Sequence, residues 1–341
     1  MNITKYKNKG LSGLANLGNT CFINSCIQIL SHTYELNEFL DNESYKKKLK
    51  NQCDSVLLIE WDNLRKMLWN ENCIVSPGKF INTIQKVAKL KKMDIFTGYS
   101  QNDVSEFLLF LMDCFHSALS REISITISGN PETETDKIAL KCFEMVKNMY
   151  SKDYSEIWNL FYAVNVSEIT RVDNGKVLSI NPEPFFMVDL PIPPNNKSPS
   201  LIDCFDYYVS GEIIENYLDE ASKENVNIRK KILFWSFPNI LTIDLKRFDN
   251  RFQKNQIQVT FPLDNLDLSA YVIGYKKDNF KYELYGVCNH SGGVMGGHYT
   301  SYIKNANGKW YHYNDTSVSE VGINETVISP KAYVLFYRKK L

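Results

Sequence analysis

The sequence has no Cys-x-x-Cys pair, although it carries eight cysteines, at 21, 26, 53, 73, 114, 142, 204 and 288. That absence argues against a zinc ribbon or a redox dithiol, and the irregular spacing argues against a secreted disulfide framework. Several of these cysteines sit inside apolar runs, which suits reduced thiols and predicts an intracellular protein, cytoplasmic or nuclear. Long hydrophobic runs are missing too: none approaches the roughly 20 residues a membrane span needs. Net charge is absent, with 39 basic residues against 39 acidic ones. Nothing in the charge therefore points to nucleic acid or to an anionic membrane as a partner. Met1 to Lys9 is polar and lysine-rich with no apolar centre, so no secretory signal is expected there. Internal repeats and low-complexity tracts are lacking. Histidine is scarce, with five in 341 residues, which shortens the search for an acid–base group.

What remains is an ordinary globular composition, 44% hydrophobic and 23% charged, with ample material for a core. The first third reads as helical. One helix begins at Cys21, a second covers roughly Cys53 to Trp69, and a third follows Pro77. Gln101 to Leu119 has the clearest helical pattern, with Val104, Phe107, Leu108, Leu111 and Phe115 on one face. Ser100 with Asp103 resembles a capping box at its start. Residues 121–137 read as an exposed loop. From about Asn159 the period changes to two, with a hairpin turn at Asn174-Gly175. Pro182 to Pro199 contains six prolines and must be extended or looping. Charge dominates Glu212 to Lys231 and hides any pattern. Strands are predicted at Leu241–Leu245, Tyr282–Asn289, His298–Lys304, Lys309–Tyr313 and Ala332–Arg338, the middle pair turning at Asn307-Gly308. Helices first and a sheet afterwards give an α+β class.

The chemistry concentrates at two places. Gly13-Leu14-Ala15-Asn16-Leu17-Gly18-Asn19-Thr20-Cys21 is a polar loop running into an apolar helix, which puts Cys21 on the first helical turn. Unpaired backbone N–H groups and the helix dipole there favour a thiolate, the attacking form of cysteine. A histidine is the natural base for such a nucleophile. His298 follows Gly292-Gly293-Val294-Met295-Gly296-Gly297, a turn whose glycines let backbone pass close to a ligand. Asn314 and Asp315 end the returning strand of the same hairpin and are placed to orient that imidazole. Asn16 is a candidate donor to an oxyanion beside Cys21. His116 reads as a packed helical residue, His32 carries no further signal, and His312 is structural. His290 is a candidate contact for a substrate or a loop.

Together, Gly13 through Gln28, Gln101-Asn102-Asp103-Val104-Ser105-Glu106-Phe107, Leu245-Lys246-Arg247-Phe248, Gly296-Gly297-His298-Tyr299 and Trp310 through Asp315 resemble the ordered boxes of the ubiquitin-specific proteases. These are papain-like cysteine isopeptidases. The resemblance runs over about residues 11–339 and implies a short extension at 1–10 ahead of one catalytic domain. It further implies a papain-like fold with a helical thumb (about 11–150), β fingers (about 155–235) and a β-rich palm (about 236–341). Cys21 is then the nucleophile, His298 the base and acid, and Asn314 the orienting member. Asp315 assists and Asn16 serves the oxyanion hole. Asp103 and Glu106 would face the arginine-containing tail of ubiquitin, as carboxylates pair well with guanidinium groups. Gln101, Gly296, Gly297 and Tyr299 would line the path of that tail, with Asp249 to Thr260 as a facing loop.

Ubiquitin or ubiquitinated proteins are the implied partners. Many members carry two Cys-x-x-Cys pairs that hold a structural zinc at the finger tips. The corresponding stretches, near 166–170 and 217–221, contain no cysteine here, so neither a metal nor a cofactor is expected. Phe22, Ile23 and Asn102 depart from the usual residues of their boxes without touching the chemistry. Two alternatives keep the fold. One is a catalytically silent ubiquitin-binding module, which the presence of both Cys21 and His298 argues against. The other is a protease for a ubiquitin-like modifier. With ten residues ahead of the first box, no pro-segment is expected.

Overall fold

The computed structural model describes residues 2–293, 296–322 and 327–340. The chain opens with β1 (Gly13–Leu14), α1 (Cys21–Ser31), α2 (Tyr34–Asp41) and α3 (Cys53–Asn70). It continues through β2 (Ile74–Val75), α4 (Gly78–Leu90), α5 (Val104–Leu119), α6 (Glu134–Tyr150) and α7 (Glu156–Phe161). Strands β3 (Ala163–Arg171), β4 (Val177–Phe185) and β5 (Met187–Pro191) precede α8 (Leu201–Ser210), then β6 (Glu212–Asp219) and β7 (Glu224–Phe234). The last third is β8 (Ile240–Lys246), β9 (Leu266–Asp267), β10 (Lys281–Gly293), β11 (Gly296–Lys304), β12 (Trp310–Asn314), β13 (Ser317–Val321) and β14 (Ala332–Lys339). This is the α+β layout that the sequence predicts.

The large sheet runs β13-β12-β11-β10-β14-β8-β5, with β9 added to β10. One face carries α1, whose eleven residues are all buried, and the helices around it. They share a core with the sheet in which Trp61, Phe107 and Phe115 meet Tyr285, Tyr313 and Phe336. The other face is covered by α8 and the segments after β8, through Leu201, Phe205, Val259 and Leu335. Helix α1 lies so close to β10 that a Cβ on Gly286 would stand 2.9 Å from Cγ2 of Ile29. A smaller sheet, β4-β3-β7-β6, stands apart and packs on α6 through Val164, Val166, Ala139 and Cys142.

Three expectations change. Helix α5 starts at Val104, not at Gln101, and Asp103 itself is the N-cap, accepting from the backbone N–H groups of Ser105 (2.8 Å) and Glu106 (3.3 Å). Gln101 and Asn102 spend their amides elsewhere, Asn102 on the carbonyls of Ile95 and Ser100. The loop read at 121–137 ends early, because Thr133 and Asp136 form a capping box that starts α6 at Glu134. The charged stretch 212–231 is a hairpin of β6 and β7. Its residues are mostly exposed, so no alternation of apolar positions marked it. At its tip Arg171 sits 2.7 Å from Asp173, 3.5 Å from Asp219 and 3.7 Å from Glu224. Among the described residues no group of three metal-capable side chains forms.

Candidate active site

Cys21 opens α1 and is only 3% exposed. The backbone N–H of Tyr299 on β11 lies near enough to its sulfur to favour the thiolate, and Nε2 of Gln101 is 3.7 Å away. Burial pushes the thiol above the ordinary cysteine value, the Asp315 carboxylate adds to that, and the N–H groups of Tyr299, Phe22 and Cys21 pull it down. The helix N-terminus therefore acts in the direction expected from the sequence but is outweighed by desolvation. Desolvation thus works against the thiolate, and a base that takes the proton suits such a site.

Cys21 and Tyr299 share one core, and His298, half-buried, precedes Tyr299 on β11. The β11–β12 ladder ends at Ser301 opposite Tyr313. One residue beyond, Asn314 turns its Oδ1 to Nε2 of His298 at 2.7 Å. A carbonyl oxygen only accepts, so Nε2 carries the hydrogen and Nδ1 keeps the lone pair that a base needs.

Asp315 follows in the left-handed region, φ 48°. Its Oδ2 accepts from Asn16 Nδ2 (2.9 Å) and its Oδ1 from Asn24 Nδ2 (2.8 Å). With both oxygens taken, Asp315 organises the nucleophile loop; no hydrogen bond from it to His298 occurs among the described residues. Asn16 also accepts from the backbone N–H groups of Gly18 (3.1 Å) and Thr20 (3.2 Å). Its amide is thus fixed at the entry to α1 with one N–H engaged by Asp315. Asn24 escaped the sequence reading. The available signal was a buried polar residue inside the apolar helix, and its partner lies far along the chain.

Beyond the sulfur, a cavity of about 380 Å³ is lined by Asp103, Glu106, Phe248, Phe252, Tyr299 and Tyr333. Tyr333, also unforeseen, donates to Asp103 Oδ2 at 2.6 Å. Behind it, burial first and then the charges of Asp103 and Asp189 push the Asp244 carboxyl well above its usual range. Glu106 is exposed, whereas the Tyr299 ring is buried against His290 at 4.6 Å. Gly297 crosses over His290, where a Cβ would collide with the imidazole and with the carbonyl of Ser291. Burial and the neighbouring Lys254 hold His290 down at about 4. Lys254 donates to Nδ1 of His290 (3.0 Å) and to its carbonyl (2.6 Å), tying the 249–260 loop to β10. Gly296 is exposed at the rim; Val294 and Met295 lie outside the described residues. His32 and His116 are buried away from this cleft, and His312 stacks on Tyr302 at 4.8 Å.

The family model described as ubiquitin carboxyl-terminal hydrolase matches residues 12–337. The chain belongs to this family. Ubiquitin carboxyl-terminal hydrolase 2 of Bos taurus is 33% identical over 96% of the chain and 55% of the relative. The protein of the same name from Gallus gallus is 34% identical, over 96% of the chain and 93% of its own length. Ubiquitin carboxyl-terminal hydrolase 21 of Bos taurus is 30% identical over 96% of the chain and 61% of its own length. The chain thus spans about half the length of the curated relative from cattle named first. Among solved structures, the SAGA DUB module containing Ubp8, bound to ubiquitin aldehyde, superposes with a TM-score of 0.75 at 22% identity, over 98% of this chain and 71% of that one. The same module bound to monoubiquitin gives 0.74. These two likenesses establish the papain-like ubiquitin carboxyl-terminal hydrolase fold.

Proposed function

We propose that this chain is a thiol-dependent deubiquitinase that hydrolyses the peptide or isopeptide bond after the C-terminal glycine of ubiquitin. The observation that carries the reading is the His298–Asn314 pair at 2.7 Å on β11, the strand whose Tyr299 shares a core with the buried Cys21. Nδ1 of His298 takes the Cys21 proton as the sulfur attacks the carbonyl carbon. The oxyanion that forms is met by the N-terminal backbone of α1 and by the free N–H of Asn16. The imidazolium then protonates the departing lysine amine, leaving a thioester on Cys21. Water, deprotonated by His298, releases the ubiquitin carboxylate and restores the thiol. Asp103 and Glu106 at the cavity suit a cationic tail. The large sheet serves as palm, α1–α6 as thumb and the smaller sheet as fingers. Eight unpaired thiols fit the reducing cytoplasm or nucleus.

A ubiquitin probe with a C-terminal electrophile tests this. Covalent capture by the wild-type chain, absent in Cys21→Ala, is the expected result. Reversible binding without capture would instead mean a silent ubiquitin-binding module. Capture of a ubiquitin-like modifier's probe, but not ubiquitin's, would mean a different substrate.

A further inference from the structure

Resting on the deubiquitinase reading above, we infer that Gln101 is a positioning residue. Its carboxamide replaces a missing strand at the edge of β11, and its N–H group steadies the Cys21 sulfur. Alternate residues of an antiparallel strand turn their N–H and C=O to alternate edges. Ser291 and His298 pair across β10 and β11, while β12 joins β11 only from Ser301 onward. Both backbone groups of Gly297 go to Gln101, so by alternation Gly297 and Tyr299 face the edge away from β10, which no strand covers among the described residues, and a strand edge with unmet N–H and C=O groups demands partners.

The partners are side chains. Gly297 N–H donates to Oε1 of Gln101 at 2.8 Å, and Nε2 of Gln101 donates to the Gly297 carbonyl at 2.8 Å. Two residues on, the Tyr299 N–H lies close to the Cys21 sulfur. His298 lies between these anchors, so its direction is set from both sides. The Gln101 amide nitrogen has a second hydrogen, and it stands 3.7 Å from that sulfur.

A carboxamide is the one side-chain group that can accept from Gly297, donate to it and still offer an N–H to a thiolate. Its own position is fixed because Asn102 is anchored on Ile95 and Ser100, and Asp103 caps α5. His290 presses Gly297 from beneath. Of the other titratable groups, the Asp315 carboxylate after β12 acts directly on Cys21, and Cys288 on β10 and Tyr299 on β11 are close enough to feel its charge. None of them replaces the Gln101 N–H.

The test compares the wild-type chain with Gln101→Met, which keeps the volume, and Gln101→Glu, which keeps the shape but cannot donate. Folding is checked by thermal melting. Two quantities are read: kcat and KM on a fluorogenic ubiquitin C-terminal amide, and the pH midpoint of Cys21 alkylation by iodoacetamide, followed by peptide mapping. Both variants should lose about 10–100-fold in kcat with KM within about threefold of wild type, the cost of a misplaced reacting group. The alkylation midpoint should rise, by about one unit in the glutamate variant, where a like charge joins the lost donor. An unchanged midpoint, a change in KM alone, or a gain in activity overturns the proposal. Alkylation needs no ubiquitin. If the wild-type chain fails to cleave ubiquitin while the midpoints still shift, the positioning role stands and the substrate reading falls.

Discussion

At the scale of single residues, the site divides its labour between groups that touch the reaction and groups that aim them. Nε2 of His298 is committed to Asn314 at 2.7 Å, so removing the two partners should have different consequences. In His298→Ala the thiol loses its base, and kcat should fall by about 10³-fold or more. Asn314→Ala leaves the base but frees its ring to rotate and change tautomer, so a smaller loss is expected, about 10–100-fold. Steady-state kinetics on a ubiquitin C-terminal amide, alongside binding of ubiquitin to each variant, would check this. Equal losses would mean that the pair acts as one unit, and near-normal turnover in His298→Ala would remove that histidine from the mechanism. The candidate nucleophile and base could be picked out in the sequence because a nucleophile loop and a glycine-rich turn have local signatures. Asn24 and Tyr333 were not. Their bonds to Asp315 and Asp103 join distant parts of the chain, and nothing beside them in the sequence announces the partner.

Between elements, the end of α1 is stapled to β12 by a buried histidine. His32 caps the helix, with Nδ1 2.8 Å from the Gln28 carbonyl and Nε2 3.2 Å from the Tyr313 hydroxyl. Burial holds its imidazole down at about 4, against the pull of the Gln28 carbonyl and with the added repulsion of Arg338. The unfolded chain takes that proton near the ordinary 6.5, so it binds more protons than the folded chain between 6.5 and about 4. Stability from this group is therefore full above pH 6.5 and drains as pH falls toward 4, by about 3 kcal/mol. His290, also held at about 4, adds a slope of the same sign. Urea unfolding across that window should show the loss, and His32→Gln should remove part of it. The same slope in both proteins would take His32 out of the account. Elements with a plain apolar pattern, the alternation of β8 and the continuous run of β14, were readable in advance. The β6–β7 hairpin was not, because its buried alternation is confined to Val226 and Ile228, and the charged, exposed positions around them hide so short a pattern.

Over the whole molecule, the cleft exists because the helices and the large sheet are not separate bodies. Helices α1, α3, α4 and α5 share one continuous core with β10, β11, β12 and β14, and Cys21 and His298 stand at the border of that core. Relative motion of the two halves would break the Tyr299 N–H contact to the sulfur, so the common core protects the catalytic geometry. The smaller sheet is built differently. Its contact with α6 is a modest cluster of Ala139, Cys142, Val164, Val166 and Trp235, and most of β6 and much of β7 is exposed. Few buried apolar contacts mean a low free energy of local opening. Native-state hydrogen exchange should therefore find the amides of β6 and β7 opening at low denaturant, while those of α1, α5, β10 and β11 exchange together only in global unfolding. Earlier exchange of α1 and α5 than of β10 and β11 would mean that the shared core does not hold the halves as one. The meeting of Cys21 with His298 would then have to be formed anew in each opening cycle.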